Sequence, residues 1–216
     1  MNQNSTRACV AKFCVLLAIV LQMVSPVQAQ NPLAPDGIKI GDQAPDFTLK
    51  SVDGKLVGLR SFVESKGVIL VFTCNHCPYS VKYEDRIIEL HNKYASKGFP
   101  VLAVNPNDST VEPKDSYTMM QERAAEKKFL FPYLVDETQA IARKYGARRT
   151  PQVFVLLRTR TGWTVEYIGA IDDNPDDAGK AESKFVEDAV DALLNGAKPE
   201  TATTKAIGCT IKWKKG

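Results

Sequence analysis

The stretch Val68-Ile69-Leu70-Val71-Phe72-Thr73-Cys74-Asn75-His76-Cys77-Pro78 decides how this chain folds and what chemistry it can carry. It opens with uncharged strand formers, as in a strand buried on both faces, and Pro78 suits the first turn of a helix. A Cys-x-x-Cys between a strand and a helix predicts thiol–disulfide exchange, because the unpaired N–H groups and the dipole of a helix N-terminus stabilise a thiolate. We expect Cys74 to be the solvent-facing attacking thiolate, and Cys77 to be the more buried resolving thiol one turn along.

The first 29 residues carry the features of a cleaved signal peptide. Arg7 and Lys12 precede a short apolar run over residues 13–24, and Val27-Gln28-Ala29 resembles a small-residue cleavage site. The run is too short for a membrane span, which predicts no stable membrane insertion. The sequence therefore predicts an exported protein, periplasmic or secreted, with an uncleaved anchor as the alternative.

The charge that remains after cleavage is close to balanced. Of 28 basic and 25 acidic side chains, residues 1–29 hold two basic ones and no acidic one, which leaves a net charge of +1. Such a balance lacks the electrostatic footprint of a nucleic-acid-binding protein, so we expect no nucleic-acid partner.

Three cysteines remain beyond the signal peptide: Cys74, Cys77 and Cys209. An odd number in an exported protein indicates a free or exchanging thiol. Cys209 lies in residues 198–216, which we interpret as a basic, solvated C-terminal tail. It is either an idle thiol in that tail or a third redox thiol able to reach Cys74.

The remaining sequence alternates between strand and helix patterns. Asp53-Gly54 predicts a hairpin between two short strands, and Asp115 is placed to cap a helix that runs to about Lys128. Asp136 or Thr138 can cap the next, short helix. Further predicted elements are strands at 68–73, 99–104, 133–135, 153–157 and 163–170, and a final helix at 182–195.

This order of elements around a Cys-x-x-Cys resembles the thioredoxin-like superfamily. Thr150-Pro151 stands where that superfamily carries a cis-proline that faces the active cysteines, which implies that the backbone there pairs with a substrate peptide. Residues 41–49, Gly-Asp-Gln-Ala-Pro-Asp-Phe-Thr-Leu, resemble the redoxin branch, the alkyl hydroperoxide reductase and thiol-specific antioxidant proteins. A peroxiredoxin-like subgroup with a Cys-x-x-Cys is similar at residues 72–79, 131–139, 171–175 and 207–214.

The resemblance implies a single α/β thioredoxin-like domain over residues 38–197. We expect a central mixed β-sheet flanked by helices, with an N-terminal β-hairpin extension. It also implies a redox-active centre with a role in cell redox homeostasis. The partners would be protein or small-molecule disulfides and thiols, together with a redox partner that the sequence does not identify.

The chain departs from working peroxiredoxins and from thioredoxin. The peroxidatic pattern Pro-x-x-x-Thr-x-x-Cys fits neither Cys74 nor Cys77, and Arg148 and Arg149 are the nearby candidates for an arginine that polarises peroxide. A thiol peroxidase with an antioxidant role, using Cys74 or Cys77, therefore stays as the alternative to disulfide exchange. His76 resembles the residue that stabilises the thiolate in oxidising disulfide oxidoreductases, so we assign it a thiolate-tuning role and expect an oxidising potential.

Metal binding is a third interpretation of the same residues. Cys74, Cys77 and His76 are suitable ligands for Cu(I) or Zn(II), as in a copper carrier. The other histidine, His91, is about 20 Å away along the predicted helix and is expected to pack against it. This shortage of ligands makes a carrier less favoured, and we predict neither a metal nor an organic cofactor.

Overall fold

A seven-stranded mixed sheet forms the centre of the molecule, seen in a computed structural model that describes residues 37–215. The strands of the sheet are β1 (Thr48–Ser51), β2 (Leu56–Gly58), β3 (Gly67–Phe72), β4 (Val101–Asn105), β5 (Tyr133–Val135), β7 (Gln152–Thr159) and β8 (Gly162–Gly169). The strand order is β2-β1-β5-β4-β3-β7-β8. Strands β3, β4 and β5 run parallel to one another, and the other pairings are antiparallel.

Four α-helices accompany this sheet within residues 37–215. They are α1 (Pro78–Tyr94), α2 (Tyr117–Glu126), α3 (Ala140–Tyr145) and α4 (Phe185–Leu194). The predicted α/β architecture is thereby confirmed, including the N-terminal hairpin of β1 and β2. Gln139 is the N-cap residue of α3, and the Asp136 side chain accepts hydrogen bonds from the backbone N–H groups of Ile141 and Ala142 in its first turn.

The sheet separates two hydrophobic clusters, and β3 contributes to both. Ile69 and Val71 belong to one cluster, whereas Val68, Leu70 and Phe72 belong to the other. Every residue of β3 is buried, because alternate side chains of a central strand enter the packing on opposite faces. The uncharged run before Cys74 therefore lies inside the sheet, between β4 and β7. The cysteines follow at the carboxyl end of β3.

The C-terminal segment differs from the solvated tail that we expected. Residues Cys209–Thr210 form β9, which pairs with β6 (Arg149–Thr150) in a small antiparallel sheet. Ile211 is buried in the second hydrophobic cluster, and the guanidinium of Arg143 lies 4.4 Å from the ring centroid of Trp213. Apolar side chains between the lysines explain the difference, since they gain burial only when the segment docks.

Further contacts hold the end of this segment against the domain. Gln139 donates a hydrogen bond to the backbone oxygen of Lys212, and its own side-chain oxygen accepts one from the backbone N–H of Lys214. Both ends of the predicted tail are nevertheless solvated, since the exposed residues include Lys198, Glu200, Thr201, Thr203, Lys205, Lys214 and Lys215.

The predicted signal peptide, residues 1–29, lies outside the described part of the chain. Among the helices between residues 37 and 215, none combines the length and the apolar character that crossing a membrane requires.

Candidate active site

The start of α1 places the two cysteines of the Cys-x-x-Cys differently from our expectation. The helix begins at Pro78 and Cys77 is its N-cap residue, so the positive end of the helix dipole lies at Cys77. Two residues separate Cys74 from this N-cap residue, and Cys74 is 4% exposed, which makes the prediction of a solvent-facing Cys74 wrong. Proline at the first helical position explains the shift, because it favours a helix start immediately after Cys77.

Cys77 is bonded to Cys209, 132 residues further along the chain, and Cys74 is a free thiol. The pairing of β9 with β6 brings Cys209 to the site, because Cys209 lies opposite Thr150 in that register. The third cysteine is thus neither idle nor directed at Cys74. It forms a disulfide with the cysteine at the helix N-terminus.

The sulfur of Cys74 lies in a polar but enclosed environment. Three polar atoms surround its Sγ: Thr150 Oγ1 at 3.2 Å, Ser80 Oγ at 3.6 Å and His76 Nδ1 at 3.6 Å. Burial raises the pKa of the Cys74 thiol above its ordinary value, and the negative charge of Asp115 raises it further. Hydrogen bonds from Thr150 and Ser80 act in the opposite direction without reversing the shift.

Asp115 is the residue of this site that the sequence analysis missed. Its carboxylate is fully buried, and Oδ2 lies 2.5 Å from Nδ1 of His76. Oδ1 accepts the backbone N–H groups of Asn75 and His76, at 2.7 and 3.3 Å, and Oδ2 also accepts the side-chain N–H of Asn107, at 2.7 Å. The prediction that Asp115 caps a helix is therefore wrong: Ser116 is the N-cap of α2, and Asp115 bonds across to the cysteine loop.

Two signals in the sequence were available for Asp115. It follows a polar segment with asparagines at positions 105 and 107, and that segment begins at the last residue of strand β4. Because β4 is parallel to β3, the loops after both strands emerge at the same edge of the sheet. Polar side chains after one of these strands can therefore meet the cysteines that follow the other.

The Thr150–Pro151 peptide bond is cis, as the resemblance implied. Cys74 and Cys77 both approach Thr150, since Cys77 Sγ lies 3.3 Å from its backbone oxygen. The backbone that we expected to pair with a substrate peptide is, however, paired with Cys209 of the same chain. Gly208 makes this possible, because a Cβ atom there would lie 2.3 Å from the Thr150 oxygen.

Arg148 and Arg149, the candidates for peroxide binding, both contact the C-terminal segment that carries Cys209. Arg149 is partly buried, and its guanidinium donates a hydrogen bond of 2.7 Å to the backbone oxygen of Gly208. The backbone oxygen of Arg148 accepts the N–H of Ile211. The guanidinium of Arg149 thus holds the C-terminal segment in place.

The possible metal ligands also differ from the predicted set. Cys74, His76 and Asp115 each have a ligand atom within 4.8 Å of the others, whereas Cys77 is occupied by its disulfide. Both oxygens of Asp115 already accept hydrogen bonds, so a cation would have to displace them. We therefore treat these three residues as a hydrogen-bonded array. His91 instead contacts residues outside its helix: its ring centroid lies 5.5 Å from that of Phe131, and its Nδ1 accepts the backbone N–H of Val101.

Comparison with known proteins gives a family and several relatives. Residues 40–172 match the model of the AhpC/TSA family. A solved structure of an uncharacterized conserved protein from Geobacillus kaustophilus is 35% identical, with a TM-score of 0.77, and the match covers 86% of this chain and 98% of that one.

Two relatives with named activities match at lower identity. The thiol-disulfide oxidoreductase ResA of Bacillus thuringiensis is 28% identical over 131 residues, which is 61% of this chain and 70% of that protein. The chloroplastic peroxiredoxin Q of Gentiana triflora is 28% identical over 133 residues, which is 61% of this chain and 56% of that protein. The two relatives represent the two chemistries, exchange and peroxide reduction, that the sequence analysis left open.

Proposed function

This chain belongs to the AhpC/TSA family and is an oxidoreductase of the thiol–disulfide exchange class, and on that premise we propose that its exchange centre is Cys77. Cys77 is shared between two possible disulfides, one with Cys209 and one with Cys74. The observation that carries the proposal is the Cys77–Cys209 disulfide at the N-terminus of α1, with the free thiol of Cys74 beside it.

The position of Cys77 favours it as the leaving and attacking sulfur. A thiolate there faces the N–H groups of the first helical turn and the positive end of the helix dipole. Both effects lower the free energy of the thiolate, and a more stable thiolate leaves a disulfide faster. Cys77 is fully buried whereas Cys209 is partly exposed, so an outside thiol reaches the disulfide at Cys209.

Oxidation of a dithiol substrate then takes two steps. A substrate thiolate attacks Cys209 Sγ, the bond between Cys209 and Cys77 breaks, and the electron pair leaves on Cys77. The second substrate thiolate attacks the substrate sulfur of this mixed disulfide, which releases Cys209 as a thiolate. The substrate has lost two electrons and become a disulfide, and the protein has gained them. The reverse sequence reduces a disulfide, and the potential of the partner decides the direction.

Cys74 provides a second route within the protein. Its thiolate can attack Cys77 Sγ, which forms the Cys74–Cys77 disulfide and releases Cys209 as a thiolate. No electrons enter or leave in this step, because one disulfide replaces another. The predicted Cys-x-x-Cys disulfide and the Cys77–Cys209 disulfide are thus two oxidised forms of one centre.

Serine variants test the central place of Cys77. We expect Cys77→Ser to abolish disulfide exchange in an insulin-reduction assay and in dithiol oxidation. Cys74→Ser and Cys209→Ser, the matched controls, should each retain part of the rate because one disulfide of Cys77 remains possible. An exchange rate in Cys77→Ser as high as that of either control would refute the proposal.

Peroxide reduction is the second candidate, favoured by the match to peroxiredoxin Q and by the long-range disulfide. In that reaction the Cys77 thiolate attacks a peroxide oxygen and becomes a sulfenic acid, and Cys209 condenses with it to give the disulfide and water. One equivalent of hydrogen peroxide, mixed with the reduced protein in a stopped-flow instrument, distinguishes the two. Disulfide formation in milliseconds means a peroxidase, and oxidation over seconds to minutes means an exchange enzyme.

We also propose export to the periplasm or the cell exterior, on the basis of residues 1–29. The partners would be disulfides or thiols of proteins or small molecules. Because Gly208 and Cys209 cover the backbone of Thr150, a substrate peptide would bind at Thr150–Pro151 only after displacing them. An N-terminus at residue 30 in protein recovered from the exterior of cells would support export, and retention of residues 1–29 would contradict cleavage.

A further inference from the structure

Asp115 holds the proton of His76 on the side away from Cys74. The same ring atom, Nδ1 of His76, lies 2.5 Å from Asp115 Oδ2 and 3.6 Å from Cys74 Sγ. A ring nitrogen carries at most one proton, and a charged acceptor at the shorter distance takes it in a charge-assisted hydrogen bond. The imidazole therefore offers Cys74 no strong hydrogen bond that would stabilise a thiolate.

Asp115 itself is held in this position from three sides. Backbone N–H groups of Asn75 and His76 fix Oδ1, and the side chain of Asn107 fixes Oδ2. Asn107 is in turn fixed by the C-terminal segment, because its side-chain oxygen accepts the backbone N–H of Lys212 at 2.8 Å. The docked segment that carries Cys209 thus also supports the carboxylate next to Cys74.

We propose that Asp115 is a positioning residue that keeps Cys74 a neutral thiol in reserve while Cys77 and Cys209 are bonded. This inference rests on the exchange function proposed above. A neutral thiol is a poor nucleophile, so Cys74 does not attack Cys77 and the Cys77–Cys209 disulfide is the resting form. The internal exchange that forms the Cys74–Cys77 disulfide begins only when Cys74 loses its proton.

Three other titratable groups, Glu112, Glu84 and Tyr133, lie near this thiol or its histidine among the described residues. Glu112 Oε2 lies 3.9 Å from Nε2 of His76. Glu84 and Tyr133 line a small cavity against Cys74, and Glu84 is paired with Arg123 and Lys127. Burial and the Asp115 charge raise the pKa of Cys74, and they outweigh the hydrogen bonds from Thr150 and Ser80, which lower it.

The test is the pH dependence of alkylation of Cys74 in the oxidised protein, followed by mass spectrometry. The proposal predicts that Asp115→Asn moves this profile to lower pH and raises the alkylation rate at neutral pH at least about threefold, since one pKa unit is a factor of ten in thiolate population. The opposite arrangement, in which Asp115 and His76 together stabilise the thiolate, predicts a slower reaction. A slower or unchanged rate would overturn the proposal.

Asp108→Asn is the matched control. Asp108 lies on the same loop and bonds to the backbone N–H of Thr110, so the variant should leave the Cys74 profile unchanged. If Asp115→Asn does not fold, the wild-type protein decides the question. The thiolate absorbance of oxidised wild type must titrate above the ordinary thiol pKa of roughly 8.5, and titration below that value refutes the inference.

These measurements follow Cys74 alone and require no exchange activity. If Cys77→Ser loses exchange while its two controls retain part of it, and the Cys74 profile is unshifted in Asp115→Asn, the proposed function stands and this inference fails. A shifted profile in a protein without exchange activity would remove the proposed function, and the inference about the role of Cys74 in exchange would fall with it.

Discussion

Reduction of the protein should lower its stability by an amount that identifies which disulfide it contains. A cross-link between residues 132 apart restricts the unfolded chain, and the loop-closure relation gives about 5 kcal/mol of stabilisation for a loop of that length. A Cys74–Cys77 disulfide closes a ring of only four residues, for which the same relation gives about 2 kcal/mol. The difference between these two values is large enough to measure.

The assay is urea unfolding of the oxidised protein with and without a phosphine reductant. With a slope of about 2 kcal/mol/M, reduction should lower the wild-type midpoint by about 2.5 M if Cys77 is bonded to Cys209. Cys74→Ser should show the same loss, because it retains that disulfide. Cys209→Ser can form only the short ring and should lose at most about 1 M. A reductant effect in Cys209→Ser as large as in wild type would refute the reasoning.

Three further predictions concern the same segment and the same thiols. Gly208→Ala should displace the C-terminal segment, because the added Cβ would lie 2.3 Å from the Thr150 oxygen. We expect a cost of about 1–3 kcal/mol and less Cys77–Cys209 disulfide in peptide mapping, whereas Gly179→Ala should change neither. The raised pKa of Cys74 means that the folded protein holds this proton more tightly than the unfolded chain. The stability of oxidised wild type relative to Cys74→Ala should therefore fall as the pH rises above roughly 8.5, and a constant difference would contradict this. In Cys209→Ser, the Cys74–Cys77 pair should titrate at a potential above roughly −270 mV, because the N-terminus of α1 stabilises the Cys77 thiolate; a value at or below that of thioredoxin would contradict this.

The elements of the fold could be predicted because their signals are local. An uncharged run of strand formers predicted β3, and Pro78 predicted a helix directly after the Cys-x-x-Cys, where α1 lies. The cis bond at Thr150–Pro151 was expected from the family resemblance, and the structure has it. Proline prefers the first helical position, and this preference alone predicts that α1 begins at Pro78, one residue after Cys77.

The partners of the cysteines could not be predicted in this way, because they come from distant parts of the chain. Cys209 reaches Cys77 only through the pairing of β9 with β6, and Asp115 reaches His76 only because β3 and β4 are parallel neighbours. Neither pairing leaves a periodic pattern near the Cys-x-x-Cys.

The sequence by itself therefore determined the family, the α/β architecture and the class of chemistry, since these depend on short-range patterns and on motifs. Only the tertiary structure decided which sulfur lies at the helix N-terminus, which sulfur it bonds and which carboxylate sets the charge around the free thiol. The physical reason is that a thiol's reactivity depends on burial and on charges within a few ångströms, and residues from four separate segments supply that environment here.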